Sequence, residues 1–220
     1  MIKSLNTLKK GLVGALFVVT LSGCQSAYYS AMEQVGVHKR DILVDRVDSA
    51  KEAQVDAQEQ FKDALEQYKS VVSFDGGELE PLYNRLEAEY DDSKSAAEAV
   101  SSRINRVEDV AEALFEEWQV ELEQYSNARL RSQSERQLKD TRTRYKKLLS
   151  SMRRAERRMQ PVLVALNDNV LFLKHNLNAR AIGALKGELA TIRQDVDALI
   201  RDMQSAINES DRFIKTLEKP

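Results

Sequence analysis

Apolar side chains recur every three or four residues along most of this 220-residue chain, and only helices match that period. A first run sets Leu43, Val47, Ala50, Ala57, Phe61, Ala64, Tyr68 and Val71 on one stripe, which Gln54 interrupts. A second carries Ala97, Val100, Ile104, Val107, Ala111, Leu114, Trp118, Leu122 and Tyr125. A third resumes with Leu138, Thr141, Tyr145, Leu148, Met152, Ala155, Met159, Val162, Leu166 and Leu173. The fourth reads Ile182, Leu185, Leu189, Ile192, Val196, Leu199, Met203, Ala206, Phe213 and Leu217.

The breaks between the runs carry turn chemistry. Asp75-Gly76-Gly77 ends the first, and Pro81 then falls in a first helical turn, where its missing N–H costs nothing. The stretch Tyr125 to Gln137 loses the apolar phase and holds Ser126-Asn127, so a turn is expected there. Asn176-Leu177-Asn178 separates the third and fourth runs. Pro161 lies inside the third stripe, but the period survives it, which favours a kink over a stop.

A helix with one apolar stripe must bury that stripe against a neighbour. Runs of roughly 46, 50, 45 and 37 residues with short breaks predict antiparallel neighbours, the longest near 70 Å. The expected fold is all-α, an elongated antiparallel bundle or coiled coil of long helices forming a single domain over residues 31–220. Four helices are preferred; three result if the second and third runs merge. With 8 glycines, 3 prolines and 31% charged residues, the chain has too few turn-makers for a β-sandwich.

The first 24 residues have another character. Lys3, Lys9 and Lys10 precede an apolar run from Gly11 to Leu21, and no acid occurs before Glu33. That run is too short to span a bilayer core as a helix. It ends in Leu21-Ser22-Gly23-Cys24. This order of charge, apolar run, small residues and cysteine resembles the lipobox of bacterial lipoproteins. The resemblance implies a signal peptide over 1–23, cleavage after Gly23, lipid on the Cys24 sulfur and a lipidated tether over 24–30. Cys24 is the only cysteine, and a secreted chain with one leftover thiol would be unusual. One acyl chain binds a membrane only marginally, whereas two or three hold it stably. By the same resemblance, Gln25 after the cysteine favours the periplasmic face of the outer membrane. Tyr28 and Tyr29 follow, expected either at the membrane interface or at the start of the first helix.

Removing residues 1–23 leaves 197 residues with 30 basic and 35 acidic side chains, so bulk charge names no polyanionic partner. Charge is nevertheless uneven. Residues 75–123 hold 15 acids and 4 bases, and residues 129–158 hold 12 bases and 3 acids. In an antiparallel hairpin these segments face each other, so one reading is intramolecular pairing that fixes register. The other is a basic face for an anionic ligand, with Arg142, Lys146, Arg153, Arg154, Arg157 and Arg158 as candidates. Nucleic acid fits poorly behind a secretion signal.

Chemistry-bearing patterns are scarce. His38 and His175 lack the Glu three residues earlier that a di-iron bundle uses, since Val35 and Phe172 stand there. No metal, cofactor or catalytic residue is assigned, and an enzyme is not expected. Asp91-Asp92 and Glu116-Glu117 read as solvated helix faces. Asn167, Asn169, His175, Asn176 and Asn178 read as a helix end with surface polar groups, or as a buried network or ligand patch. Lys219 precedes Pro220, which disfavours covalent wall attachment through a terminal lysine.

Three segments carry a wider resemblance: Cys24-Gln25-Ser26-Ala27-Tyr28-Tyr29, Val35-Gly36-Val37-His38-Lys39-Arg40, and Phe172-Leu173-Lys174-His175-Asn176-Leu177-Asn178. With them nearly the whole chain resembles a family of uncharacterised proteobacterial helical lipoproteins. That resemblance implies a helical envelope protein and transfers no functional residue. The expected function is structural or protein-interacting, at the membrane through Cys24, with an envelope protein as partner and self-association compatible. The alternative is a module for phospholipid, lipopolysaccharide or cell-wall polymer using 129–158. Exposed apolar residues on one helix face would favour the first. A basic run already paired within the fold would weaken the second.

Overall fold

The computed structural model describes residues 36–218 together with Tyr29 and Met32. Cys24, the segment Leu21-Ser22-Gly23 expected as a cleavage site, Tyr28 and Lys219 lie outside the described residues. Four long helices follow in order: α1 (Lys39–Val72), α2 (Glu80–Gln124), α3 (Ala128–His175) and α4 (Ala179–Glu218). No strand occurs among the described residues. α1 packs on α2 and α4, and α3 packs on α2 and α4, so the helices form a closed up-down-up-down ring.

The expected stripes supply the core, except that Tyr125 at the end of the second is 41% exposed, lying just past the end of α2. All eight residues named for α1 are fully buried, as are Val100, Ile104, Val107 and Ala111 of α2. In α3 Leu148, Met152, Ala155 and Val162 are fully buried, and in α4 Leu199, Met203 and Ala206. Gln54, which interrupts the α1 stripe in sequence, does not leave it in space: it is 0% exposed, and no described residue hydrogen-bonds its amide.

The start of α3 departs from expectation. The apolar phase resumes only at Leu138, yet the helix begins at Ala128. Asn127 caps it, its Oδ1 accepting the N–H groups of Arg129 and Leu130 at 3.0 and 3.2 Å. The inward position of this first stretch is polar: Ser134 is buried and accepts the Trp118 indole N–H at 2.8 Å. Four helices therefore form rather than three, with Tyr125 to Asn127 as the whole break between α2 and α3. α3 runs through Pro161 without interruption. The other turns follow glycine and asparagine chemistry. Gly76 and Gly77 take φ of 156° and 110°, open to glycine and rarely to other residues. The Asn178 side chain accepts the N–H groups of Arg180 and Ala181 at 3.0 and 3.2 Å and so caps α4.

Tyr29 and Met32 are helical, and Tyr29 belongs to the core at 7% exposed. Tyr29 lies in helical backbone that precedes α1 rather than at the start of α1 itself. Val37 N–H bonds the Met32 carbonyl at 3.0 Å with Gly36 at φ 84°, the six-to-one closure of a helical turn before α1.

Tyr145 joins α2 to α4, its ring edge-on to Phe115 at 5.3 Å and tilted against Phe213 at 6.3 Å. Burial, with Glu112 and Asp109 nearby, pushes its phenol up to about 12. The bond to Glu87 pushes Tyr83 up to about 12, and burial raises Tyr68 as well. A phenol with a raised folded-state pKa keeps a proton that the unfolded chain releases near pH 10. Its contribution is therefore complete below pH 10 and is lost as pH rises from about 10 towards 12. Denaturant midpoints are expected to be flat from pH 8 to 9.5 and to fall above 10, with a shallower fall in Tyr145→Phe.

Candidate functional site

Helix α3 carries all six candidate residues of the basic face, and its environment changes along its length. Its first two thirds hold the basic run. Of its bases only Arg153 reaches an acid on α2, Glu108, and it also holds Asn105 at 2.7 Å and Glu156 at 2.9 Å. Arg154 and Arg158 converge instead on Asp202 of α4 at 3.2 and 3.0 Å, and Lys147 reaches Glu209 at 3.0 Å. Arg142 donates to the Phe115 carbonyl at 3.0 Å and to Gln119 at 3.3 Å, and its guanidinium lies 5.5 Å over the Phe115 ring.

The charge pairing thus runs mainly from α3 to α4, not from α3 to α2 as the sequence blocks suggested. Exposed pairs of this kind each contribute about 0.2–1 kcal/mol, so they bias register more than they stabilise. Of the six candidate ligand-face residues, Arg142, Arg153, Arg154 and Arg158 are engaged within the bundle. Lys146 and Arg157 are exposed and pair with no acid among the described residues, and the same holds for Lys139.

The last third of α3 is apolar on its outer side too. Between Pro161 and Leu173, nine of thirteen residues are aliphatic or aromatic, more than one buried stripe accommodates. The surplus points outward: Val164 is 50% exposed, Leu171 51% and Phe172 42%, with Leu177 at 41% in the following turn. Pro161, Val164, Asp168 and Leu171 share one face by their 3-4 spacing, with Phe172 beside it. A groove of about 760 Å³ runs along this face between α3 and α4, floored by Pro161, Val164, Phe172 and Leu185 and edged by Asp168 and Glu188. A second groove, about 430 Å³, flanks α3 on its α2 side beside Tyr90, Lys94, Met159 and Leu163.

The asparagine cluster divides. Asn169 is buried: its Oδ1 lies 3.0 Å from the Tyr68 hydroxyl, which is also 2.9 Å from the Leu185 carbonyl, and its Nδ2 donates to Ala165 at 2.7 Å. Asn176 and Asn178 are helix-end residues, and His175 is exposed at the last position of α3. Among the described residues no three His, Cys, Asp or Glu side chains converge as metal ligands. No described helix is long and apolar enough to cross a membrane.

The off-stripe residues Val164, Leu171 and Phe172 were not singled out in sequence, because a search for one periodic stripe passes over them. Apolar density beyond one stripe is the signal that finds them.

No curated protein and no solved structure matches the chain. A family model does, over residues 28–217, and the chain belongs to that family, described as a protein of unknown function, DUF2959.

Proposed function

We propose that this protein is a lipoprotein of the cell envelope, held at the periplasmic face of the outer membrane by lipid on Cys24, with a structural or protein-interaction role. The observation that supports an interaction role is the outward apolar face of α3, Val164, Leu171 and Phe172, beside an open groove. Single exposed apolar residues are ordinary on a protein surface, whereas several adjoining ones beside a concavity are typical of interaction sites. α1 begins at the opposite end of the rod from the α3–α4 turn, so an N-terminal anchor leaves this face towards the far end.

A photo-crosslinking residue at Leu171 is expected to give a discrete adduct in intact cells, and one at exposed Glu98 is not. The Phe172→Asp substitution is expected to remove the adduct while leaving the circular dichroism unchanged. Equal, diffuse labelling from both positions would count against the interaction role.

A second reading, a module for an anionic envelope ligand such as phospholipid, lipopolysaccharide or cell-wall polymer, draws support from the exposed, unpaired Lys139, Lys146 and Arg157. Such binding would weaken steeply with salt. The internal engagement of Arg142, Arg153, Arg154 and Arg158 makes it the lesser reading.

A further inference from the structure

Apart from Val55 in the middle of α1, the remaining exposed large apolar side chains among the described residues gather at the other end of the rod. Val120 is 59% exposed, Tyr125 41% and Leu130 51%, and all three lie on the hairpin where α2 ends and α3 begins. The start of the chain is at this same end. Lys39, the first residue of α1, pairs with Glu117 of α2 at 3.0 Å. α2 continues seven residues past Glu117 to Gln124, so the hairpin projects about 10 Å beyond the start of α1.

The reach of an anchor at Cys24 is short. Tyr29 is already fixed in the core, with the Lys39 ammonium 6.0 Å from its ring centroid. Five residue steps separate Cys24 from Tyr29, which fully extended cover about 17 Å.

We propose that the α2–α3 hairpin is a membrane-docking tip: Val120, Tyr125 and Leu130 enter the interfacial layer of the phospholipid bilayer that holds the anchor. This rests on the lipid-anchor reading above, since that anchor places the bilayer within reach of this end and no other. Tyrosine suits the depth, having an apolar ring for the acyl boundary and a hydroxyl for the headgroups. Arg129, Arg131 and Arg136 are balanced over residues 120–136 by Glu121, Glu123 and Glu135, so the tip has no net charge. Docking is therefore driven by apolar insertion, is insensitive to salt, and does not require anionic lipid.

The test uses the full chain purified from membranes and reconstituted in phosphatidylcholine vesicles. Leu130→Cys and, separately, Leu177→Cys carry an environment-sensitive fluorophore, while the intact mass of each preparation reports whether Cys24 bears lipid. The expected result is at least about threefold slower quenching by aqueous iodide at position 130 than at 177, with lipid-borne quencher effective at 130 alone, at low and high salt. With the label at Val120→Cys, adding Tyr125→Asp and Leu130→Asp is expected to abolish the lipid-borne quenching at unchanged circular dichroism. Equal iodide access at 130 and 177 on a lipidated protein overturns the docking tip and leaves the anchor standing. An unlipidated mass overturns the anchor, and quenching at 130 then decides the tip separately. Shielding of position 130 from iodide without lipid-borne quenching means that a second copy covers the hairpin, which also overturns the proposal.

Discussion

Tyr68→Ala is expected to lower the unfolding free energy by about 3–5 kcal/mol, with a fall in Tm near 10 °C for a domain of this size. The side chain is fully buried, so its removal leaves a ring-sized cavity that straight helices close poorly. It also leaves Asn169 Oδ1, 3.0 Å from the lost hydroxyl, without its partner. Tyr68→Phe separates the two effects. It keeps the packing and orphans only the acceptors, for an expected loss of about 1–3 kcal/mol. Denaturant unfolding of the two variants checks the division. An unchanged midpoint in Tyr68→Phe would mean that the hydroxyl contributes nothing, and equal losses in the two variants would mean that the ring's packing contributes nothing.

Gln54→Leu is expected to act in the opposite direction, raising stability by about 1–3 kcal/mol. The amide is fully buried, and neither its Oε1 nor its Nε2 is bonded by a described residue. Leucine has a similar volume and no polar atoms to desolvate. The buried Ser93 hydroxyl on α2 is likewise bonded by no described residue. The Gln60–Glu89 and Gln67–Leu82 bonds set an antiparallel register that brings it to within about a turn of Gln54. Adding Ser93→Ala is expected to raise the midpoint further. A polar break at one level of an otherwise apolar seam penalises slipped pairings of α1 and α2, in the manner of a core asparagine in a coiled coil. The stabilised variant is accordingly expected to lose uniqueness, seen as broadened amide resonances. A fall in midpoint on Gln54→Leu would mean that the amide is hydrogen-bonded through water.

The fold was largely legible in the sequence because burial alone sets it. The stripe from Leu43 to Val71 and the one from Ile182 to Leu217 need only the 3.6-residue period and a neighbour. Asp75-Gly76-Gly77 and Asn176-Leu177-Asn178 mark turns for reasons local to those residues. The start of α3 was not legible, since its inward positions include Ser134, whose burial depends on the Trp118 indole of another helix. The partners of the basic run were also hidden. Composition shows that α2 is acidic, but the rotation of α3 decides that Arg154 and Arg158 meet Asp202 on α4. The same rotation turns Val164, Leu171 and Phe172 outward. Sequence could count these surplus apolar residues but could not place them beside a groove.

The proposed orientation rests on the lipid anchor, and the most direct measurement of that anchor is the processing and partition of Cys24→Ser. The wild-type chain is expected to run as a shortened mature form, to carry acyl mass at Cys24, and to remain with membranes through high-salt and alkaline washes. Cys24→Ser is expected to persist as the longer precursor or to appear unlipidated. Processing and partition indistinguishable from wild type would contradict the anchor, and with it the orientation assigned to both ends of the bundle.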